Sequence, residues 1–417
     1  MKHTVTILFL LFVYSTYGQS NELVEAYEKY QAFYRNGNVE QAILWAKKAL
    51  ALEVKEFGKA DLDHAATLNN LATIYQNNQQ YQEAIPLFKE AAEIFRTQLG
   101  ENNPDYGTLL NNLAVLYENQ QQFAEALPLY KQVLDIRKNV LGEQHPNYLT
   151  TLASVAGIYK KQGQYSEALP FYKELIAKQK VINGTQNQLY AQECVNLGLV
   201  YAQLDSLLEA ETYLTEGIAM EKVTVGVQNE RYAYALSKLA AVYENQGKYA
   251  KAEPLYEESS RIFKAQLGSK DTTYAASLIN LAALHEELGK YEQAEPLYDE
   301  ALQVFRLRFG TSHPKYAEVL NNKAGLFIET GKYSNAEELY QEALAIYQKR
   351  YGDGDEHYTA ILNNLAILYE KMGKTDQAER LYQKTLGIYK KNLGKAHPDY
   401  AITLNNLATL LKGKELY

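Results

Sequence analysis

Leu110, Leu113, Ala114 and Tyr117 fall at i, i+3, i+4 and i+7, the apolar stripe of a helix that buries one face. Phe123, Ala126, Leu127, Tyr130, Val133 and Leu134 then share one face of a second helix, which ends at Gly142. That glycine recurs at Gly58, Gly100, Gly142, Gly184, Gly226, Gly268, Gly310, Gly352 and Gly394, always 42 residues apart. A fixed internal period, and not the length of 417 residues, therefore sets the number of units. The pattern predicts an all-α fold of antiparallel helix pairs. First helices begin near residues 62, 104, 146, 188, 230, 272, 314 and 356.

Small residues mark the seam within and between the pairs. The first helices carry Ala72, Ala114, Ala156, Ala240, Ala282, Ala324, Ala366 and Ala408 in one phase, with Gly198 in the single gap. The second helices carry Ala84, Ala126, Ala168, Ala210, Ala252, Ala294, Ala336 and Ala378. Prolines obey the same period. Pro104, Pro146, Pro314 and Pro398 open first helices, where a missing N–H costs nothing, and Asn103 is suited to cap the first of them. Pro86, Pro128, Pro170, Pro254 and Pro296 lie about five residues into second helices, close to the turn whose N–H groups lack partners. The expected division is residues 1–18 as a signal peptide, 19–61 as a degenerate helix pair, 62–397 as eight repeats, and 398–417 as an unpaired capping helix and tail. In the degenerate pair Tyr30 takes the phase of Ala72, which suits an end helix.

Leu68, Leu71, Ala72, Tyr75, Tyr81, Ala84, Phe88 and Ala91 resemble the tetratricopeptide repeat signature, and the 42-residue form is similar to that of kinesin light chains and related bacterial proteins. The resemblance spans residues 22–412. It implies a right-handed superhelical solenoid, with first helices lining a concave groove and second helices outside. The function it implies is a non-enzymatic scaffold that binds a protein or peptide in that groove. The competing reading is a regulatory or targeting subunit of an enzyme encoded separately.

Asparagine is a mediocre interior helix former, so its recurrence in the first helices needs a reason. The first member of the pair stands at Asn69, Asn111, Asn321, Asn363 and Asn405, the second at Asn70, Asn112, Asn196, Asn280, Asn322, Asn364 and Asn406. In the family the position matched by the second member faces the groove and can hydrogen-bond a peptide backbone, for which an amide offers both donors and an acceptor. A ladder of amides between neighbouring helices of the scaffold is the equal alternative. Ala153-Ser154 and Ser237-Lys238 interrupt the series, which predicts two similar surfaces, Asn69–Asn112 and Asn321–Asn406, with a different middle. Groove charges would include Glu118, Glu244, Glu286, Glu329 and Glu370 against Lys160, Lys161 and Lys412, each more readily a solvated helix face than a site.

The remaining residues supply no chemistry of their own. Tyr75, Tyr117, Tyr159 and Tyr201 share one phase and Tyr130, Tyr172, Tyr256 and Tyr298 another, as packing between repeats requires. His145, His313 and His397 share a helix entrance in separate repeats and cannot converge on one ion. His285-Glu286 lacks the second histidine of a zinc-protease motif, and Asp353–Glu356 is too short for a calcium loop. No catalytic, metal or cofactor site is expected. Cys194 takes an inward apolar phase.

Composition narrows the partners. Hydrophobic residues at 47% and charged residues at 22% are those of a folded chain, and a formal charge of −8 argues against nucleic acid. Leu407, Leu410 and Leu411 of the last helix offer a possible homodimer contact. At the N-terminus Lys2, the apolar run Val5–Val13, and Thr16 and Gly18 read as a secretory signal, too short for a membrane span. Export to the periplasm or beyond the cell follows, from a bacterial source, with no membrane insertion after cleavage. An uncleaved anchor or a cytoplasmic chain is the alternative. N-terminal sequencing of the protein isolated from its native host should begin at Gln19; a chain beginning at Met1 would contradict the signal.

Overall fold

Glycine ends most second helices, and a side-chain cap opens most first helices. At the end of the longer helices Gly100, Gly142, Gly268 and Gly310 hold φ between 82° and 87° with ψ near 160° to 170°, backbone that only glycine occupies without strain. At the other entrances Asp61, Asn103, His145, Asn229, Asp271 and His313 accept hydrogen bonds from the backbone N–H two residues on, so His145 and His313 are capping residues. The five internal prolines sit within continuous helices.

The computed structural model describes residues 20–392 and 394–415; the signal sequence expected at residues 1–18 lies outside them. The chain divides into two compact units at Ser206 and Leu207. The first unit holds α1 (Asn21–Arg35), α2 (Val39–Glu56), α3 (Leu62–Asn77), α4 (Tyr81–Leu99), α5 (Pro104–Asn119), α6 (Phe123–Leu141), α7 (Pro146–Lys161), α8 (Tyr165–Asn183) and α9 (Gln188–Gln203). Each helix packs on the next in the chain, and α3 also touches α5. The largest core cluster runs from Leu23 and Tyr30 through Ala72, Phe88, Ala114 and Tyr130 to Ile158, with smaller clusters around Leu109 and Leu152. At its start the buried carboxylate of Glu53 accepts from the hydroxyls of Tyr27 and Thr67, both at 2.6 Å, with His64 Nδ1 3.1 Å away. Cys194 is buried.

The second unit holds α10 (Leu207–Thr224), α11 (Glu230–Asn245), α12 (Tyr249–Leu267), α13 (Thr272–Glu287), α14 (Tyr291–Phe309), α15 (Pro314–Glu329), α16 (Tyr333–Tyr351), α17 (Glu356–Lys371), α18 (Thr375–Asn392) and α19 (Pro398–Glu415). Its helices also pack in chain order, with α13 on α15 and α15 on α17. This arrangement is an all-α solenoid of antiparallel helix pairs. Second helices are stapled across repeats by ion pairs of one register, Lys248–Glu211 at 3.0 Å, Lys290–Glu253 at 2.5 Å and Lys374–Glu337 at 3.0 Å.

The alanines of the seam explain how helices come close enough to stack. Ala114, Ala156, Ala240, Ala282, Ala324 and Ala366 are wholly buried, as are Ala84, Ala126, Ala252, Ala294 and Ala336. The last helix differs from expectation: Leu407 and Leu410 point inward, onto a cluster that includes Tyr382 and Ala366, and are not a surface for a second copy. The exposed apolar residues of α19 are instead Ile402, Leu404 and Leu411. No described helix is long and apolar enough to cross a membrane.

A Cβ added at Gly268 would meet no atom within 4 Å, so Gly268→Ala tests backbone strain alone. The substitution should cost about 1–3 kcal/mol in chemical denaturation. An unchanged midpoint would contradict the capping role.

Candidate functional site

The asparagines all lie on first helices, but they are not equivalent. In the first unit Asn69, Asn70 and Asn112 are buried and Asn111 and Asn196 half-buried. Asn112 Nδ2 donates to Asn69 Oδ1 at 3.0 Å, tying α5 to α3, and Asn70 Nδ2 donates to the Tyr30 hydroxyl at 3.2 Å. Within the pair, Asn69 Nδ2 is 3.4 Å from Asn70 Oδ1, a weaker bond. Asn196 is held by Lys160, whose Nζ donates to its Oδ1 at 2.6 Å, and donates in turn to Glu193 at 3.0 Å.

The second unit repeats the geometry. Asn364 Nδ2 donates to Asn321 Oδ1 at 3.1 Å, tying α17 to α15, and Asn321 Nδ2 is 3.3 Å from Asn322 Oδ1. Asn363 accepts from Thr403 at 3.4 Å. Asn321, Asn322, Asn363, Asn364 and Asn406 are half-buried, and Asn280 and Asn405 exposed. Twice the carbonyl of a first-member asparagine is taken by the second-member amide 43 residues later. Asn363 and Asn406 stand in the same relation, but Asn363 takes the Thr403 hydroxyl instead. Asn111 is followed by Ser154, Asn280 has Ile279 beside it, and Asn405 and Asn406 close the last run. Among the described residues these four side-chain amides have no hydrogen-bond partner in the molecule.

The glutamates one turn on have a different duty from the one their position suggests. Glu118 accepts from the Tyr130 hydroxyl at 2.9 Å, Glu244 from Tyr256 at 2.8 Å and Glu370 from Tyr382 at 3.2 Å; Glu286 accepts from Tyr298. Each bond closes one hairpin across its polar edge. Burial, first, raises the carboxyls of Glu244 and Glu286 above the ordinary range, and burial also pushes the tyrosines upward. Lys161 adds an ion pair to Glu118 at 2.6 Å.

In the second unit, α17, α18 and α19 frame an open recess of about 500 Å³ lined by Ile367, Glu370, Lys371, Tyr382, Asn406 and Thr409. It combines an apolar floor, one charge of each sign and an unpaired amide, which is the mixture an extended chain needs. Among the described residues one histidine also meets two carboxylates, Glu253, Glu257 and His285. Sequence reading passed over this group because its members lie on separate helices, outside any contiguous motif.

The tetratricopeptide repeat model matches residues 31–97, 63–139, 105–180, 190–265, 272–349 and 358–416. The chain belongs to the tetratricopeptide repeat family, whose solenoids are typical protein- and peptide-binding scaffolds. No curated protein matches it. Among solved structures, the apo form of RapI is similar at a TM-score of 0.53 and 15% identity, over 68% of this chain and 98% of that one, which supports the fold alone. A Podosopora anserina protein assigned as a kinesin light chain, with nearly identical TPR-like repeats, gives 0.44 and 25% over 49% of this chain and 98% of that one. A tetratricopeptide repeat protein from Parabacteroides merdae gives 0.47 and 18% over 68% and 93%. The fold carries no catalytic motif among the described residues.

The raised carboxyl of Glu286 gives a pH dependence of fixed sign. A carboxyl whose pKa is higher folded than unfolded favours the fold at low pH, and that contribution is lost as pH rises through the folded value. Glu286→Gln keeps an acceptor for Tyr298 and removes the titration. The stability of the variant relative to wild type should therefore grow between about pH 4 and pH 7 in denaturation curves. A difference that is flat or falls with pH would contradict the assignment.

Proposed function

We propose that the chain binds an extended peptide segment of a protein partner along the first helices of a single unit, and that the asparagines left without a partner there make the backbone contacts. The observation that carries this reading is the division of the amides. Asn69, Asn112, Asn321 and Asn364 spend their hydrogen bonds on neighbouring helices, whereas Asn111, Asn280, Asn405 and Asn406 have no partner among the described residues. Of these, Asn111 and Asn406 are half-buried, and a half-buried amide that lacks a partner gains most from a ligand that supplies one. The recess beside Asn406 adds Ile367 for an apolar side chain and Glu370 and Lys371 for charges of either sign. Affinity would come from many modest contacts on a preformed surface.

The 42-residue period and the LNNLA segments support placing the chain in the kinesin-light-chain-like class. The apolar run Val5–Val13 after Lys2 supports export, in which case the partner is a periplasmic or extracellular protein.

Displayed random peptides selected on the intact chain supply a probe. Asn406→Ala should weaken the selected peptides about threefold to tenfold with the melting temperature unchanged. Asn364→Ala should instead lower stability by about 1 kcal/mol. If Asn406→Ala leaves peptide affinity intact, or if both variants act only on stability, the asparagines are scaffold and the reading fails.

A further inference from the structure

The repeat junction between α12 and α13 breaks a pattern that its neighbours keep. One phase of the first helices is aromatic on both sides, Tyr243 before and Phe327 and Tyr369 after, but His285 stands in it here. Where tyrosine is present its hydroxyl spans the junction: Tyr369 donates to Glu337 of α16 at 2.8 Å. An imidazole is shorter. Nε2 of His285 stops 3.2 Å from Oε1 of Glu253, an ion-pair distance, at the oxygen that Lys290 also holds. Neither ring nitrogen has a hydrogen-bond partner, although the side chain is only 6% exposed. A buried ring with one nitrogen facing a carboxylate and the other without a hydrogen bond has bonding capacity left for a ligand.

What faces it is a second carboxylate. Glu257 lies one turn beyond Glu253 on the same face of α12 and is exposed. In the first unit the same phase holds lysines that sit over the aromatic ring, Lys47 over Tyr75 at 5.7 Å and Lys131 over Tyr159 at 5.2 Å. At this junction cation and ring are exchanged for carboxylate and imidazole. One donor atom from each of Glu253, Glu257 and His285 lies within 4.8 Å of the others.

We propose that Glu253, Glu257 and His285 form a binding site for a first-row divalent cation, of which zinc is the best fit, with water completing its coordination. Two donors on a tetrahedral zinc ion stand about 3.3 Å apart, given bonds of about 2.0–2.1 Å. His285 Nε2 and Glu253 Oε1 already stand 3.2 Å apart, and because Lys290 holds that oxygen the cation would take Oε2 of Glu253 after a small turn of the carboxylate. The exposed Glu257 closes the remainder by side-chain rotation. One imidazole with two carboxylates is a donor set that suits zinc and its first-row neighbours better than calcium or magnesium. Lys290 holds Oε1 of Glu253 at 2.5 Å, as its counterparts do in other repeats, and does not use the second oxygen. The same lysine, first, keeps the Glu253 carboxyl below its ordinary range and so ionised near neutral pH. A bound cation would join α12 to α13 and lock two successive repeats together.

The test is calorimetric titration of zinc chloride into the intact, chelator-treated chain without a histidine tag, for wild type, His285→Tyr and Glu257→Gln. His285→Tyr installs the residue that the preceding repeat carries at this phase, Tyr243, so the variant should fold. Glu257→Gln alters only an exposed side chain and serves as a second, independent probe. Wild type should bind one zinc per chain above any weaker background and melt higher with zinc than without. Each variant should bind that zinc more weakly by at least about tenfold, the loss that follows even from removing a partner outside the ligand shell, and should lose the thermal shift. Absence of zinc binding by wild type, or equal binding by wild type and both variants, overturns the proposal.

Discussion

One helical hairpin cannot cover its own apolar face, and the structure follows from that constraint. Its stripe must be buried by the next hairpin, which presents an identical stripe further on. Alanine at the closest approach makes this possible, because a side chain of one carbon lets helices settle at packing distance without a cavity. Ala84, Ala114, Ala126, Ala282 and Ala366 are wholly buried at such points. The larger residues around them, Phe88, Tyr130, Tyr298 and Tyr382, fill the space between successive pairs.

With apolar contacts assigned to stacking, polar residues are left to decide register and recognition. They do so by local arithmetic. A tyrosine of the second helix reaches a glutamate of the first within the hairpin, and a lysine reaches back to a glutamate of the preceding second helix. Asparagine joins consecutive first helices. Each of these bonds consumes a group that would otherwise face solvent or a ligand. The proposed recognition therefore uses the amides left without a partner, Asn111, Asn280, Asn405 and Asn406, and the proposed cation site uses a junction where an aromatic phase holds histidine.

Helix type and phase were legible in the sequence because glycine, proline and alanine each carry a strong local meaning, repeated until chance is excluded. First helices start at Leu62, Pro104, Pro146 and so on to Pro398, at intervals of 42 residues. Contacts between helices were less legible. Phase tells which face a residue occupies but not which atom meets it, so Glu118, Glu244, Glu286 and Glu370 read as solvated when they are bonded to tyrosines. Leu407 and Leu410 read as an exposed seam because the position of α18 beneath them does not follow from their own helix. Glu53 lay hidden in the phase of Phe95 and Phe263, and only its partners Tyr27, Thr67 and His64 explain a buried carboxylate there. The His285 group needed the facing residues of α12 as well as the histidine's own phase.

The central claim is that a partner lies on the first helices and not on the outer, second ones. Site-specific photo-crosslinking tests it most directly, with the probe placed at Asn111, Asn280 or Asn405 on first helices, or at the exposed Leu44 or Val181 on second helices. The account predicts that first-helix probes crosslink a common partner in the native compartment and second-helix probes do not. Capture of that partner from Leu44 or Val181 alone would contradict it.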